Sequence, residues 1–145
     1  MRGFSLLEVM IVVCIVAVLA SLAALAVVPG EAALAEKEAR RLALLLELAV
    51  VETRASGQRM AWTPAPGGYT FLQRSEAGEW LPFPDSSPYR PRALGASLAL
   101  EGARVAFSPY GLQAPLVASI RGGNAQFILR SGALGRVSLE RLHAD

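Results

Sequence analysis

Cysteine and histidine are almost missing from this chain, whose 145 residues hold one of each, Cys14 and His143. Cys14 lies inside an apolar run, so no intramolecular disulfide can form and the thiol reads as a small apolar filler. A single histidine beside the C-terminus reads as solvated. With so few soft ligands there is no grouping of His, Cys and carboxylates at metal-binding spacing. The serines lack a Gly-x-Ser-x-Gly setting, and Gly122-Gly123-Asn124 is not followed by the Lys-Ser/Thr of a phosphate loop. Catalysis needs convergent polar groups with matched pKa values, and none stand out. The sequence therefore reads as a non-enzyme that needs no cofactor and no metal.

Charge is scarce as well. Only 18% of residues are charged and the net charge is +2. Beyond Gly57 nine arginines face six acidic residues, an excess of three. Nucleic-acid binding needs such charges clustered on one face near aromatics. Arg90-Pro91-Arg92 beside Tyr89 is the one local cluster that could make such a contact, but loops commonly carry charge, so a solvated loop is the favoured reading and nucleic acid is not an expected partner.

What the chain has in abundance is apolar sequence at its start. Val9–Val28 is twenty residues without a charge, enough at 1.5 Å per residue to cross a hydrocarbon core of about 30 Å. Glu8 stands at its mouth. A carboxylate at a helix centre in the membrane costs roughly 2.5–3.5 kcal/mol by insertion scales and less near the edge, so it calls for a partner. A secretory signal peptide, with Ala33-Leu34-Ala35 as its cleavage site, would have a shorter apolar region free of charge. A lipoprotein signal would need a small residue where Val13 precedes Cys14. Arg2 before the run, with the mixed charges Glu31 to Arg41 after it, places the N-terminus in the cytoplasm and the rest outside it.

Pro29-Gly30 closes the run, and Glu31–Ser56, rich in Ala, Leu and Glu, predicts a helix stopped by Gly57. Leu34, Leu42, Leu45, Leu46 and Ala49 can share a docking face. With the preceding run this makes a long helix from Phe4 to Ser56, kinked or unwound at Pro29. After Gly57 the periodicity becomes strand-like. Strands are expected at 58–63, 69–74, 79–83, 98–100, 104–107, 116–121, 125–130 and 136–139, with a loop at Pro84–Pro91. Short strands with tight turns imply antiparallel pairing. Trp62, Trp80, Phe71, Phe83, Phe107 and Phe127 are expected mostly in the core, whereas Tyr89 and Tyr110 lie in loops where an exposed ring could meet a partner. The fold class is α+β: a long N-terminal helix, membrane-spanning then amphipathic, on a small antiparallel β-domain. About 115 residues outside the span suffice for one core.

The start Gly3-Phe4-Ser5-Leu6-Leu7-Glu8-Val9-Met10 resembles the processing site of type IV prepilins and type II secretion pseudopilins. The resemblance implies cleavage between Gly3 and Phe4 by a prepilin peptidase, N-methylation of Phe4, and Glu8 as the assembly glutamate. Three unusual features coincide: glycine before a hydrophobic residue, a carboxylate at fixed offset, and an immediate apolar run. The leader Met1-Arg2-Gly3 is short for the family. Helix Glu38–Ala49, Ala55-Ser56-Gly57-Gln58, Gly68–Leu72, Phe107-Ser108-Pro109-Tyr110-Gly111 and Ser131-Gly132 to Val137 are similar to the minor pseudopilin H of type II secretion and its minor-pilin relatives. This implies a leader at 1–3, a membrane or filament-core helix at 4–28, an amphipathic helix at 29–57 and a periplasmic β-domain at 58–145. The implied partners are membrane lipid before assembly, the prepilin peptidase, the inner-membrane assembly platform and other pseudopilins through the N-terminal helix. The implied role is a structural subunit of the periplasmic filament that helps drive protein export. A minor pilin of a type IV pilus, in priming or DNA uptake, and a signal-anchored periplasmic domain remain open alternatives.

Overall fold

Strong helix formers and two well-placed breakers shape the first third of the chain. The computed structural model describes residues 5–25, 29–112, 114–132 and 134–143. Helix α1 spans Leu6–Leu25. Ser5 caps it, its carbonyl and Oγ both accepting the Glu8 N–H, at 2.9 and 3.3 Å. Pro29 and Gly30 are not helical, so the expected interruption is present. Gly30 is extended and caps helix α2, Glu31–Ser56. Gly57 ends α2 at φ 72°, a left-handed conformation that glycine adopts without a Cβ clash, and its N–H bonds the Thr53 carbonyl.

Ten strands follow: β1 (Met60–Ala65), β2 (Gly68–Arg74), β3 (Trp80–Pro82), β4 (Arg92–Ala93), β5 (Leu98–Gly102), β6 (Val105–Ser108), β7 (Gly111–Leu112), β8 (Val117–Gly122), β9 (Ala125–Ser131) and β10 (Val137–His143). All pairings are antiparallel. One sheet runs β3-β2-β1-β6-β7, with β4 also on β2, and the other runs β10-β9-β8-β5. Each of the eight expected strands is present, with its ends shifted. Strands β4 and β7 were not anticipated, because two residues carry no readable alternation. The β1–β2 hairpin turns at Pro66-Gly67, proline setting one φ and Gly67 supplying φ 71°.

Helix α2 packs across members of both sheets. Its buried residues are Ala35, Glu38, Ala39, Leu42, Leu46, Ala49, Val50 and Thr53. Leu42, Leu46 and Ala49 match the expected face and Leu45 flanks the core, but Leu34 is exposed. The cause is close approach. A Cβ on Gly122 of β8 would lie 2.5 Å from the Glu31 carbonyl oxygen and 2.9 Å from the Ala35 Cβ. Only alanine fits the seam there, and the larger leucine turns out.

Trp62, Phe71, Phe107 and Phe127 are buried as expected, while Trp80 and Phe83 are half-buried. Residues 84–91 form the expected loop, but the expectation of an exposed Tyr89 ring is corrected. Tyr89 is buried, with ring centroids 5.3 Å from Phe71 and 5.1 Å from Phe83, so the segment is pinned to the core. Burial pushes the Tyr89 phenol up to about 12, with the Glu52 carboxylate adding to the shift. Tyr110 is 98% exposed.

Candidate assembly surface

A helix that is apolar all round and touches nothing is incomplete by itself. Every side chain of α1 from Leu6 to Leu22 is exposed. Glu8 sits in the first turn, where a carboxylate favours the positive end of the helix dipole. Its spacing from Ser5 is that of a capping box, Ser-x-x-Glu, a local signal that sequence reading had passed over. The Ser5 half of that box is formed. Among the described residues the Glu8 carboxylate enters no ion pair, so it stands exposed at the head of an apolar cylinder. Gly3 and Phe4 lie outside the described residues. Among those residues no helix is long and apolar enough to cross a membrane: α1 covers seventeen positions of the uncharged run, Val9–Leu25, and 26–28 are not among them.

Helix α2 extends the apolar surface in a second way. On the side turned from the sheets, Leu44 is 67%, Leu48 44% and Val51 61% exposed. The spacing i, i+4, i+7 puts them on one stripe. The C-terminal half of α2 is therefore apolar on both faces, one meeting the core and one exposed. The expected docking face held Leu34, Leu42, Leu45, Leu46 and Ala49 and left out Leu44, Leu48 and Val51. The signal was present in Leu44-Leu45-Leu46 and Leu48, since one docking stripe leaves no reason for leucine all round.

The inner side of α2 carries an ion pair. Arg92 on β4 donates through both Nε, at 3.3 Å, and Nη2 to the Glu38 carboxylate. This pairing raises the Arg92 pKa, the hydrogen bond being its largest cause. Tyr69 packs beside the pair, and burial pushes its phenol up with help from Glu38, while Arg41 and Arg92 pull it down. The Tyr69 hydroxyl is buried, and Arg41 lies near enough to lower its pKa through charge and hydrogen bonding. Arg92 thus joins the 84–93 segment to the helix, and Arg90 is exposed with Nη1 donating to the Asp85 carbonyl at 3.3 Å. The two arginines singled out as a nucleic-acid cluster do not converge on a common surface group. Arg92→Ala should lower unfolding stability by about 2 kcal/mol, because it strands the Glu38 carboxylate. In chemical denaturation the Glu38→Ala/Arg92→Ala double variant should recover part of that loss, the sign of a coupled pair.

The arrangement was compared with known proteins. No family model matches the chain, and no curated protein matches it. Solved structures do. The minor pseudopilin EpsH from the type 2 secretion system of Vibrio cholerae matches with a TM-score of 0.63 at 20% identity, over 75% of this chain and 96% of that one. A second structure of EpsH from the same organism, a crystal structure, gives 0.62 at 17% identity, over 77% and 97%. The fold is that of a minor pseudopilin. Nearly the whole of each EpsH chain is therefore matched, and the pseudopilin fold accounts for a helix packed on two antiparallel sheets. At this identity the likeness carries the architecture, and the roles of single residues rest on their own geometry.

Proposed function

We propose that this chain is a minor pseudopilin, a structural subunit that enters a periplasmic secretion filament through its N-terminal helix. The observation that carries the reading is the pairing of a pseudopilin fold with an exposed, all-apolar α1 headed by Glu8. In this reading the chain first sits in the inner membrane as a single-pass protein, N-terminus in the cytoplasm, with lipid around α1. A prepilin peptidase cuts between Gly3 and Phe4 and methylates Phe4. The new α-amine at Phe4 then meets the Glu8 carboxylate of a neighbouring subunit, opposite charges pairing in a low dielectric. Extraction from lipid is driven by helix packing, helped by the assembly platform, with the Leu44–Leu48–Val51 stripe continuing the contact into the periplasmic part. Export of folded proteins is the work of the filament, and this subunit contributes contacts and not chemistry.

Processing is the direct test. When the full chain is expressed with a prepilin peptidase, wild type should run as a shortened species and Gly3→Ala as the unprocessed one. Identical mobility of the two with active peptidase would place processing elsewhere or nowhere.

A further inference from the structure

On the face of the first sheet turned away from α2, two arginine guanidinium groups lie over one aromatic ring. Residues alternate along β2, so Tyr69 and Phe71 point to the core while Thr70, Leu72 and Arg74 point the other way. Trp80 is directly opposite Arg74 and so shares its face. Continuing the β1–β6 register one step past Trp62↔Val105 sets Arg104 opposite Thr63, on that face too. The Arg104 guanidinium lies 5.1 Å from the Trp80 ring centroid and that of Arg74 5.7 Å. Ala61, on the same face, is fully buried, as expected if the long side chains of this tier lie over a small residue. Arg59 faces Arg74 across the strands, its carbonyl accepting the Arg74 N–H at 2.9 Å.

We propose that this Arg74–Trp80–Arg104 face binds an acidic, extended segment of a partner protein. Arg74 and Arg104 are exposed, and among the described residues neither has a carboxylate within 4.0 Å. Glu76 and Glu79 in the adjoining turn are exposed but make no such contact. A guanidinium lying over an indole, as both do here, is attracted by the ring and can keep its N–H fork free for a carboxylate, which it receives through two hydrogen bonds. Bases of a single-stranded nucleic acid would instead need the open face of an aromatic ring, and two guanidinium groups already attend this one. Strand addition is disfavoured as well, since β3 is three residues long and ends in Pro82, which has no N–H to donate. The face lies across the sheet from α2, so covering the Leu44–Leu48–Val51 stripe leaves it open. The proposal goes beyond the filament role and does not depend on it.

The test is a titration of the full chain in nonionic detergent with a labelled glutamate-rich peptide of about ten residues. A glutamine-rich peptide and a single-stranded oligonucleotide of equal charge serve as comparisons. Expected are binding of the glutamate peptide that weakens as salt rises, a change in tryptophan emission on binding, and affinity lower by about tenfold or more in Arg74→Ala/Arg104→Ala. Arg121→Ala/Arg130→Ala, which alters the other sheet, should bind as wild type does. Three results would overturn the proposal: no binding of the glutamate peptide at low salt, equal affinity in the Arg74/Arg104 variant, or tighter binding of the oligonucleotide. The salt dependence is read on wild type alone, so a misfolded variant leaves the test decisive.

Discussion

Glu8→Val is expected to remain in the membrane and to drop out of the filament. The substitution leaves the helix start intact, because the hydrogen bonds to Ser5 come from the backbone N–H of residue 8 and not from its side chain. It also lengthens the apolar run and removes a burial cost, so insertion becomes firmer. What disappears is the negative charge proposed to receive the Phe4 amine of a neighbour. A buried amine left without its partner costs on the order of 3–5 kcal/mol, which is enough to reduce incorporation by more than about a hundredfold. Secretion should fall to near background, with the variant still in the membrane fraction. Glu8→Gln separates charge from shape: it keeps the length and polarity of the side chain, and it should fail nearly as completely. Normal secretion by either variant would remove the proposed role of the carboxylate.

Gly122→Ala should be among the most damaging single-methyl additions in the β-domain. The new Cβ would stand 2.5 Å from the Glu31 carbonyl oxygen, 2.7 Å from Leu98 Cδ2 and 2.9 Å from the Ala35 Cβ. A leucine tip can turn aside, but the first-turn carbonyl of α2 is fixed by the helix, so β8 and α2 must move apart. Overpacking of this kind costs typically 1–3 kcal/mol, and a backbone contact places it near the top of that range. Gly67→Ala is the matched comparison. Nothing lies within 4 Å of its Cβ, and only the positive φ of 71° opposes the change, a penalty of about 1 kcal/mol. Urea unfolding followed by the emission of buried Trp62 should rank the two in that order. Equal midpoints would mean that the helix and β8 are not in close contact.

The Gly122 seam also shows where sequence reading reached its limit. Helix α2, its stop at Gly57 and the interruption at Pro29-Gly30 were legible because composition and breakers act locally. The eight longer strands were legible for the same reason. The use of Ala35 at the seam, with Leu34 turned out, was not, because it depends on how closely a strand nearly ninety positions away approaches the helix. Tyr89 failed similarly: its sequence neighbours are prolines, serines, an aspartate and an arginine, and it becomes core by packing on Phe83 and on the distant Phe71. The Glu38–Arg92 pair joins residues 54 positions apart, so no local pattern could announce it. Of the candidate assembly surface, Glu8 and the apolar run could be read directly. The outer stripe of α2 needed the structure, because leucines at 42, 44, 45, 46 and 48 do not say which of them meets the sheet.

Site-specific photo-crosslinking from position 48 tests the assembly reading most directly. With a photoreactive residue in place of Leu48, in cells carrying the complete secretion machinery, the full chain should form adducts with other pilin-like subunits. The same probe in a Glu8→Val background should lose them while the chain stays in the membrane. A secreting cell in which position 48 yields no subunit adduct, or yields the same adducts without Glu8, would contradict a filament subunit assembled through this helix.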